Sequence, residues 1–252
     1  MGRSVARSPN DVEERDDHRH VAARTRRHPS LMRVVGIDGC STGWIAIVWH
    51  GEPGPVAAHH LPVLADLAAV VPDVDGVAID IPLFVPTDHR TGETDLRTFL
   101  GPRRSSVFST PPAVALEASD YATANAAARD HTGRGISRQA WALVPKIREA
   151  LEWVPTMGVP VIEAHPEASF AALLGHPATA GKKVWAGMSE RLRALTGAGF
   201  DLRAIDQAAG RAAATDDLLD AAAAAWTAAR YHRGQARSFP AVPDPPSDAI
   251  WA

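Results

Sequence analysis

Four short acidic motifs carry the side chains best suited to chemistry. They are Ile-Asp-Gly at Ile37–Gly39, Ile-Asp-Ile-Pro at Ile79–Pro82, Ile-Glu-Ala-His-Pro-Glu at Ile162–Glu167 and Thr-Asp-Asp-Leu-Leu-Asp at Thr215–Asp220. The first three close short β-branched runs, and the fourth opens an alanine-rich segment. Charged residues are scarce inside apolar elements unless they are paired or bound to metal, so the four motifs point to one shared acidic site. Carboxylates on neighbouring strand ends, about 4.8 Å apart, can share an ion. Asp217 and Asp220 are spaced i, i+3 and so lie on one helix face. Oxygen-only donors without cysteine favour Mg2+ or Mn2+ over Zn2+. Two such ions about 3.5–4 Å apart activate water and stabilise the leaving oxygen of a phosphodiester.

The motifs do not weigh equally. Asp38, alone before Gly39, reads as a turn residue. Asp80 lies between two isoleucines, where an unpartnered charge is costly. Asp220 borders the alanine face and calls for a partner for the same reason. Asp216 reads as a cap or surface acid in a first helical turn. Glu163 is balanced between the two readings, and Glu167, after Pro166, reads as a helix start.

The elements that must position these acids follow from hydrophobic periodicity. Arg33–Asp38 and Trp44–His50 read as a hairpin around the turn at Gly39–Gly43, with a third strand at Val56–Leu61. A short helix is expected over Leu64–Val71. Gly76–Ile81 is a fourth strand of uninterrupted apolar character, as in the middle of a covered sheet. Residues from about 87 to 154 break the alternation as a helical insertion, with helices over Ala113–Arg129 and Ser137–Trp153, the latter kinked or split by Pro145. Val159–Glu163 is a fifth strand. Helices over Pro166–Leu174, Met188–Ala198, Leu202–Gln207 and Thr215–His232 follow, the last capped by Thr215 or Asp216. The Pro/Ser-rich tail ends in the apolar Ala249–Trp251, suited to docking on the body. The expected fold is therefore α/β: a mixed five-stranded sheet flanked by helices, the arrangement of the ribonuclease H-like fold, with its insertion after the fourth strand.

The chain resembles domain-of-unknown-function family 429, described as predicted nucleases with a ribonuclease H-like fold. The matching stretches are Val34–Trp44, Ala78–Leu83, Gly101–Phe108, Pro145–Glu149, Glu163–Glu167 and Asp216–Ala222. The resemblance implies metal-dependent phosphodiester hydrolysis in the manner of Holliday-junction resolvase-like enzymes. Those place acids on the first and fourth strands and two, three residues apart, on the last helix; Asp38, Asp80, Asp217 and Asp220 fit these places. Glu163 belongs to the family's own motif. A homodimer is a further expectation, because such resolvases act in pairs.

Other residues are candidates for holding a nucleic-acid backbone: Arg103 and Arg104 in a hydroxyl-rich loop, Lys182 and Lys183 after Gly181, and Lys146 in the insertion. Phe108 is a candidate for stacking on bases, whereas Trp141 reads as core. His165 reads as a structural hydrogen-bonding residue, and Cys40 as a small buried side chain.

Composition bounds these readings. The 252 residues fit one large domain. An apolar content of 46% and a mean hydropathy of −0.11 are those of a globular chain. The net charge of −3 gives no global pull toward nucleic acid, leaving any such binding to local basic patches. The 23 Arg against 3 Lys, with abundant Ala, read as genomic composition bias. The single Cys40 excludes an internal disulfide, excludes multi-cysteine zinc sites and fits a reducing cytoplasm. No apolar run is long enough to span a membrane. Residues 1–31 read as a disordered leader, with seven Arg, five acids and three His in the first 30 and Met32 as a candidate translation start. The domain proper is then 32–252.

Three functions are consistent with this pattern. The leading expectation is a Mg2+ or Mn2+ nuclease using Asp38, Asp80, Glu163, Asp217 and Asp220. The second is an ATP-dependent phosphotransferase of the actin and sugar-kinase type, with Asp38–Gly43 as its phosphate loop. The third is a catalytically inactive binding module of the same fold.

Overall fold

The computed structural model describes residues 32–244 and 248–252. The predicted leader at 1–31 lies outside the described residues.

A mixed seven-stranded sheet organises the domain. Its strands are β1 (Val34–Cys40), β2 (Gly43–Trp49), β4 (Ala57–Leu61), β5 (Gly76–Ile79), β6 (Val161–Ala164), β8 (Ser238–Phe239) and β9 (Ile250–Trp251), in the order β4-β2-β1-β5-β6-β9-β8. Two-residue strands β3 (Gly54–Pro55) and β7 (Phe200–Asp201) pair separately. The β1–β2–β4 meander is antiparallel, whereas β5, β6 and β9 continue from β1 in parallel. The five expected strands are consecutive neighbours. The sheet exceeds the expected five because the tail docks as a strand: β9 pairs with β6, and β8 pairs antiparallel with β9.

The helices are α1 (Leu67–Val70), α2 (Thr91–Leu100), α3 (Ala113–Leu116), α4 (Tyr121–Thr132), α5 (Arg138–Trp153), α6 (Pro166–Leu174), α7 (Trp185–Gly197), α8 (Gln207–Ala212) and α9 (Thr215–His232). Those from α2 to α5 fill the segment between β5 and β6. Four expectations need correction. The helix expected over Ala113–Arg129 is broken at 117–120 into α3 and α4, the latter capped by Asp120, whose side chain accepts from Thr123 N. Pro145 does not split α5, which runs through it after an Ser137 cap whose hydroxyl accepts from Ala140 N. Leu202–Gln207 is a 3-10 turn at Leu202–Ala204 followed by α8, not one helix. The N-cap of α9 is Ala214; Asp217, three residues in, accepts from its backbone N–H at 3.1 Å.

Strand alternation divides the core between the two faces of the sheet. Val34, Ala78, Ile162 and Ala164 pack with the alanines of α9. Val35, Ile37, Val77 and Ile79 pack with Ile147, Ala150 and Trp153 of α5. On the first face α9 lies unusually close to β1. A Cβ on Gly36 would overlap the backbone of Ala221 and Ala225 and stand 2.8 Å from Ala224 C. Glycine on the strand and alanine on the helix thus bring the two backbones into contact, and this fixes where the first turns of α9 meet the sheet.

Candidate metal centre

Asp38 lies two residues beyond Gly36, on the α9 face of β1. Asp80 follows the last residue of β5, and its N–H donates to Ile37 O at 2.9 Å. The parallel register Gly36↔Ala78 and Ile37↔Ile79 places the two acids side by side on that face. Asp220, one turn into α9, comes down on them. One carboxylate oxygen from each of Asp38, Asp80 and Asp220 lies within 4.8 Å of the others. Asp38 is 8% exposed and Asp220 2%; Asp80 is half-buried. The trio lines a cleft of about 570 Å3.

Three carboxylates this close resist ionising together. Burial, then Asp80 and Asp220, raise Asp38 well above the usual carboxylate range. Burial and Asp220 push Asp80 up to about 8. Burial raises Asp220 to about 6 against the pull of Lys182. The Lys182 ammonium contacts Asp220 Oδ2 directly and stands 3.6 Å from Asp216. Burial opposes its charge, but Asp220, Asp38 and Asp80 outweigh burial and hold it protonated above the usual lysine value.

The donor set fits a hard divalent cation. It consists of oxygens alone, and Asp220 Oδ1 is buried with no hydrogen-bond partner among the described residues. A buried carboxylate oxygen left unsatisfied is costly, and a coordinated cation would satisfy it. Asp38, Asp80 and Asp220 are the residues that would hold such an ion.

The remaining predicted site residues fall elsewhere. Glu163 lies opposite Ile79 in the register of β6 and so projects to the other face of the sheet. There Arg90 Nη1 donates to both its oxygens at 2.8 and 2.9 Å, and Leu83 N donates at 2.9 Å. Arg90 also bonds Asp248, Nε to Oδ1 at 2.7 Å. Burial nevertheless raises the Glu163 pKa, outweighing the opposing pull of Arg90. Glu163 forms part of the cleft wall, but its carboxylate is committed to Arg90. Asp217 lines the cleft with its carboxylate turned back to Ala214 N, outside the trio. Its pKa is raised by burial against that hydrogen bond.

The basic candidates divide similarly. Lys182 and Lys183 line the cleft, with Lys182 on Asp220 and Lys183 3.9 Å from Asp216. Lys146 lines it too, bonding Gly43 O and lying 4.2 Å over the Trp44 ring; burial lowers its pKa. Arg103 reaches the cleft while its Nε donates to Ala178 O at 2.8 Å. Arg104 is exposed and does not line the cleft. Phe108 lines it, while Trp141 packs against the alanines of α3 and α4. His165 caps α6, its Nδ1 accepting from Ala168 N at 3.3 Å, with Nε2 3.4 Å from Ser106 O; burial lowers its pKa. Cys40 is buried, 3.9 Å from Thr42 Oγ1.

Sequence reasoning missed the residues that brace this site. Arg90 and Asp248 are 158 positions apart, and no local pattern links them. Glu149 joins Trp44 Nε1 at 3.0 Å to Leu64 N at 2.6 Å. Fully buried Arg191 binds both oxygens of Glu167 at 2.6 and 2.7 Å, tying α7 to α6. Arg191 carried a readable signal, a charge at helical spacing between Met188 and Leu195, whereas Glu149, flanked at that spacing by Lys146 and Glu152, carried none.

Among the described residues, no helix is long and apolar enough to cross a membrane. No curated protein and no solved structure matches the chain significantly. The segments that build the centre, from Gly36 under α9 through β5 to Asp220, all fall within residues 36–245, which match the profile described as "Protein of unknown function (DUF429)", and the chain belongs to that family.

Proposed function

We propose that the protein is a divalent-metal-dependent nuclease built on a ribonuclease H-like core, with Asp38, Asp80 and Asp220 as the metal ligands. The observation that carries this reading is the meeting of three carboxylate oxygens within 4.8 Å at a cleft, one of the acids keeping a buried oxygen without a partner among the described residues. The core order β4-β2-β1-β5-β6, with a meander followed by parallel strands, supports the ribonuclease H-like assignment. When bound, Mg2+ or Mn2+ supplies Lewis acidity, lowering the pKa of water and offsetting charge on a phosphoryl oxygen.

The chain's own residues supply the rest. Asp38 and Asp80 are held by strand backbone, so their oxygens keep their separation without substrate. Lys182 carries a positive charge into the acidic cleft, where it offsets repulsion between the carboxylates and a phosphodiester. Lys183, beside it, extends that charge toward the mouth. Asp217, with Oδ2 on Ala214 N and outside the group of three, becomes a further ligand only if its carboxylate swings toward them. Glu163 acts through Arg90 and Leu83 N as a positioning residue for the cleft wall. The phosphotransferase alternative is the weaker reading, because the sequence carries no second Asp-x-Gly-Thr/Gly phosphate loop beside the turn at Asp38–Gly43.

Cleavage of structured and single-stranded DNA and RNA by the purified chain with Mn2+ tests the reading. Activity that is abolished by chelation and by Asp80→Asn supports it, and cleavage that survives Asp80→Asn overturns it.

A further inference from the structure

We propose that Trp185 is a stacking platform for the unpaired bases of a single-stranded nucleic acid entering the acidic cleft, with Lys183 beside it on the strand's phosphates. This rests on the nuclease reading for the destination of the strand.

Trp185 is 73% exposed and the adjacent Val184 54%, whereas Trp44, Trp49 and Trp153 are buried. Exposing an indole forfeits one of the largest apolar burials a side chain offers. A loose loop does not explain the exposure. Trp185 opens α7, and the segment before it is locked in place. Val184 N donates to Gly181 O at 3.1 Å. Gly187 lets α7 press against that segment, since a Cβ there would stand 2.6 Å from Ala180 O. Buried Arg191, anchored by Glu167, donates to Ala180 O at 3.1 Å and Gly187 O at 2.8 Å. The indole is therefore presented to solvent from a braced position, and ordering it on binding costs little entropy.

Its surroundings select the ligand. Three residues before it, Lys182 contacts Asp220 of the carboxylate trio. Lys183 lines the same cleft with an exposed ammonium. Trp185 itself stands outside the cleft lining, two residues beyond Lys183 in the chain, and an aromatic face next to ammonium groups at the approach to a groove suits a single strand: the base stacks, and the phosphates meet the positive charge. A duplex keeps its base faces occupied and cannot use the indole in this way. Phe108, 43% exposed, lines the cleft and offers a second ring on the path of the strand.

The test is fluorescence anisotropy of a labelled oligothymidylate of about 15 nucleotides, bound by the full chain at low salt in EDTA, where no cleavage occurs. We expect Trp185→Leu to weaken binding about tenfold and Trp185→Phe to change it by less than about twofold. Both variants should keep the thermal midpoint of the parent, since the side chain packs little. Binding to a blunt duplex should be unaffected. Oligothymidylate binding by Trp185→Leu within about twofold of the parent overturns the proposal, as does a parent chain that binds no oligothymidylate. If the same variant instead changes only the sedimentation behaviour, the indole is a protein-docking surface and the proposal fails. The nuclease reading stands or falls separately, on Mn2+-dependent cleavage and its loss in Asp80→Asn.

Discussion

Removing the charge of Asp80 should stabilise the metal-free protein. In the native state burial and Asp220 hold this carboxyl protonated until about pH 8, while in the unfolded chain it titrates at its usual 3.8. A raised native pKa means that the stability present below pH 4 is lost as pH rises through the native value, because the unfolded chain ionises first. For an isolated group the loss at pH 7 would be about 4 kcal/mol. Sharing of protons with Asp38 and Asp220 and the nearness of Lys182 spread that loss over the cluster, leaving about 2 kcal/mol for Asp80 itself. Asparagine has nearly the same shape and no charge. We therefore expect Asp80→Asn, in EDTA at pH 7–8, to be more stable than the parent by about 2 kcal/mol, a rise in thermal midpoint of about 4–8 °C for a chain of this size. Near pH 4 the difference should vanish, because both forms of the site are then neutral. Mn2+ should reverse the order, since only the parent binds it tightly and gains from mass action. Denaturant titrations across pH, with and without the ion, measure each part. If Asp80→Asn equals the parent or falls below it at pH 8 in EDTA, the repulsion inferred for the trio is refuted.

Gly36→Ala should destabilise the fold by about 2 kcal/mol or more and also weaken Mn2+ binding by calorimetry, because the new methyl lifts α9 and carries Asp220 away from the strand acids. Glu163→Gln should cost about 3 kcal/mol of stability by leaving Arg90 undercompensated, yet preserve metal binding; loss of metal binding at native stability would make Glu163 a ligand after all. Lys182→Ala should tighten Mn2+ binding at pH 7, since it removes a cation already resting on Asp220; weaker binding would show instead that Lys182 preorganises the carboxylate.

The acids that form the trio were legible because their surroundings are apolar. Asp80 between Ile79 and Ile81, and Asp220 before the alanine run, carry that signature in one dimension. Asp38 joins them through strand order, and the register of β1 with β5 sets it beside Asp80. The side of the sheet on which Glu163 falls depends on its pairing with Ile79, which sequence periodicity does not reveal until the register is known. Asp217 shares a helix face with Asp220, but its place at the third helical position offered a nearer partner, the Ala214 N–H. An alanine N-cap carries no side-chain signal, so the expected cap falls one or two residues late, although the bounds of the helix, Thr215–His232, match. Strands β8 and β9 were unreadable as strands, having two residues each; only the apolar character of Ala249–Trp251 indicated that the tail returns to the body. Trp185 carries no signal of its own, because an exposed indole and a core indole look alike in a sequence.

The close seating of α9 on Gly36 changes how the alanine content of this chain is understood. Read from composition alone, the alanines carry no information, but Ala221, Ala224 and Ala225 sit where α9 meets the sheet. The narrow gap itself requires a small side chain at these positions. Neutral drift should therefore stop at these positions. In a saturation library selected for function, serine or glycine should survive in this stripe while valine and leucine disappear, with a depletion comparable to that of the three aspartates. Alanines on the exposed side of other helices, such as those of α4 facing solvent, should drift without penalty.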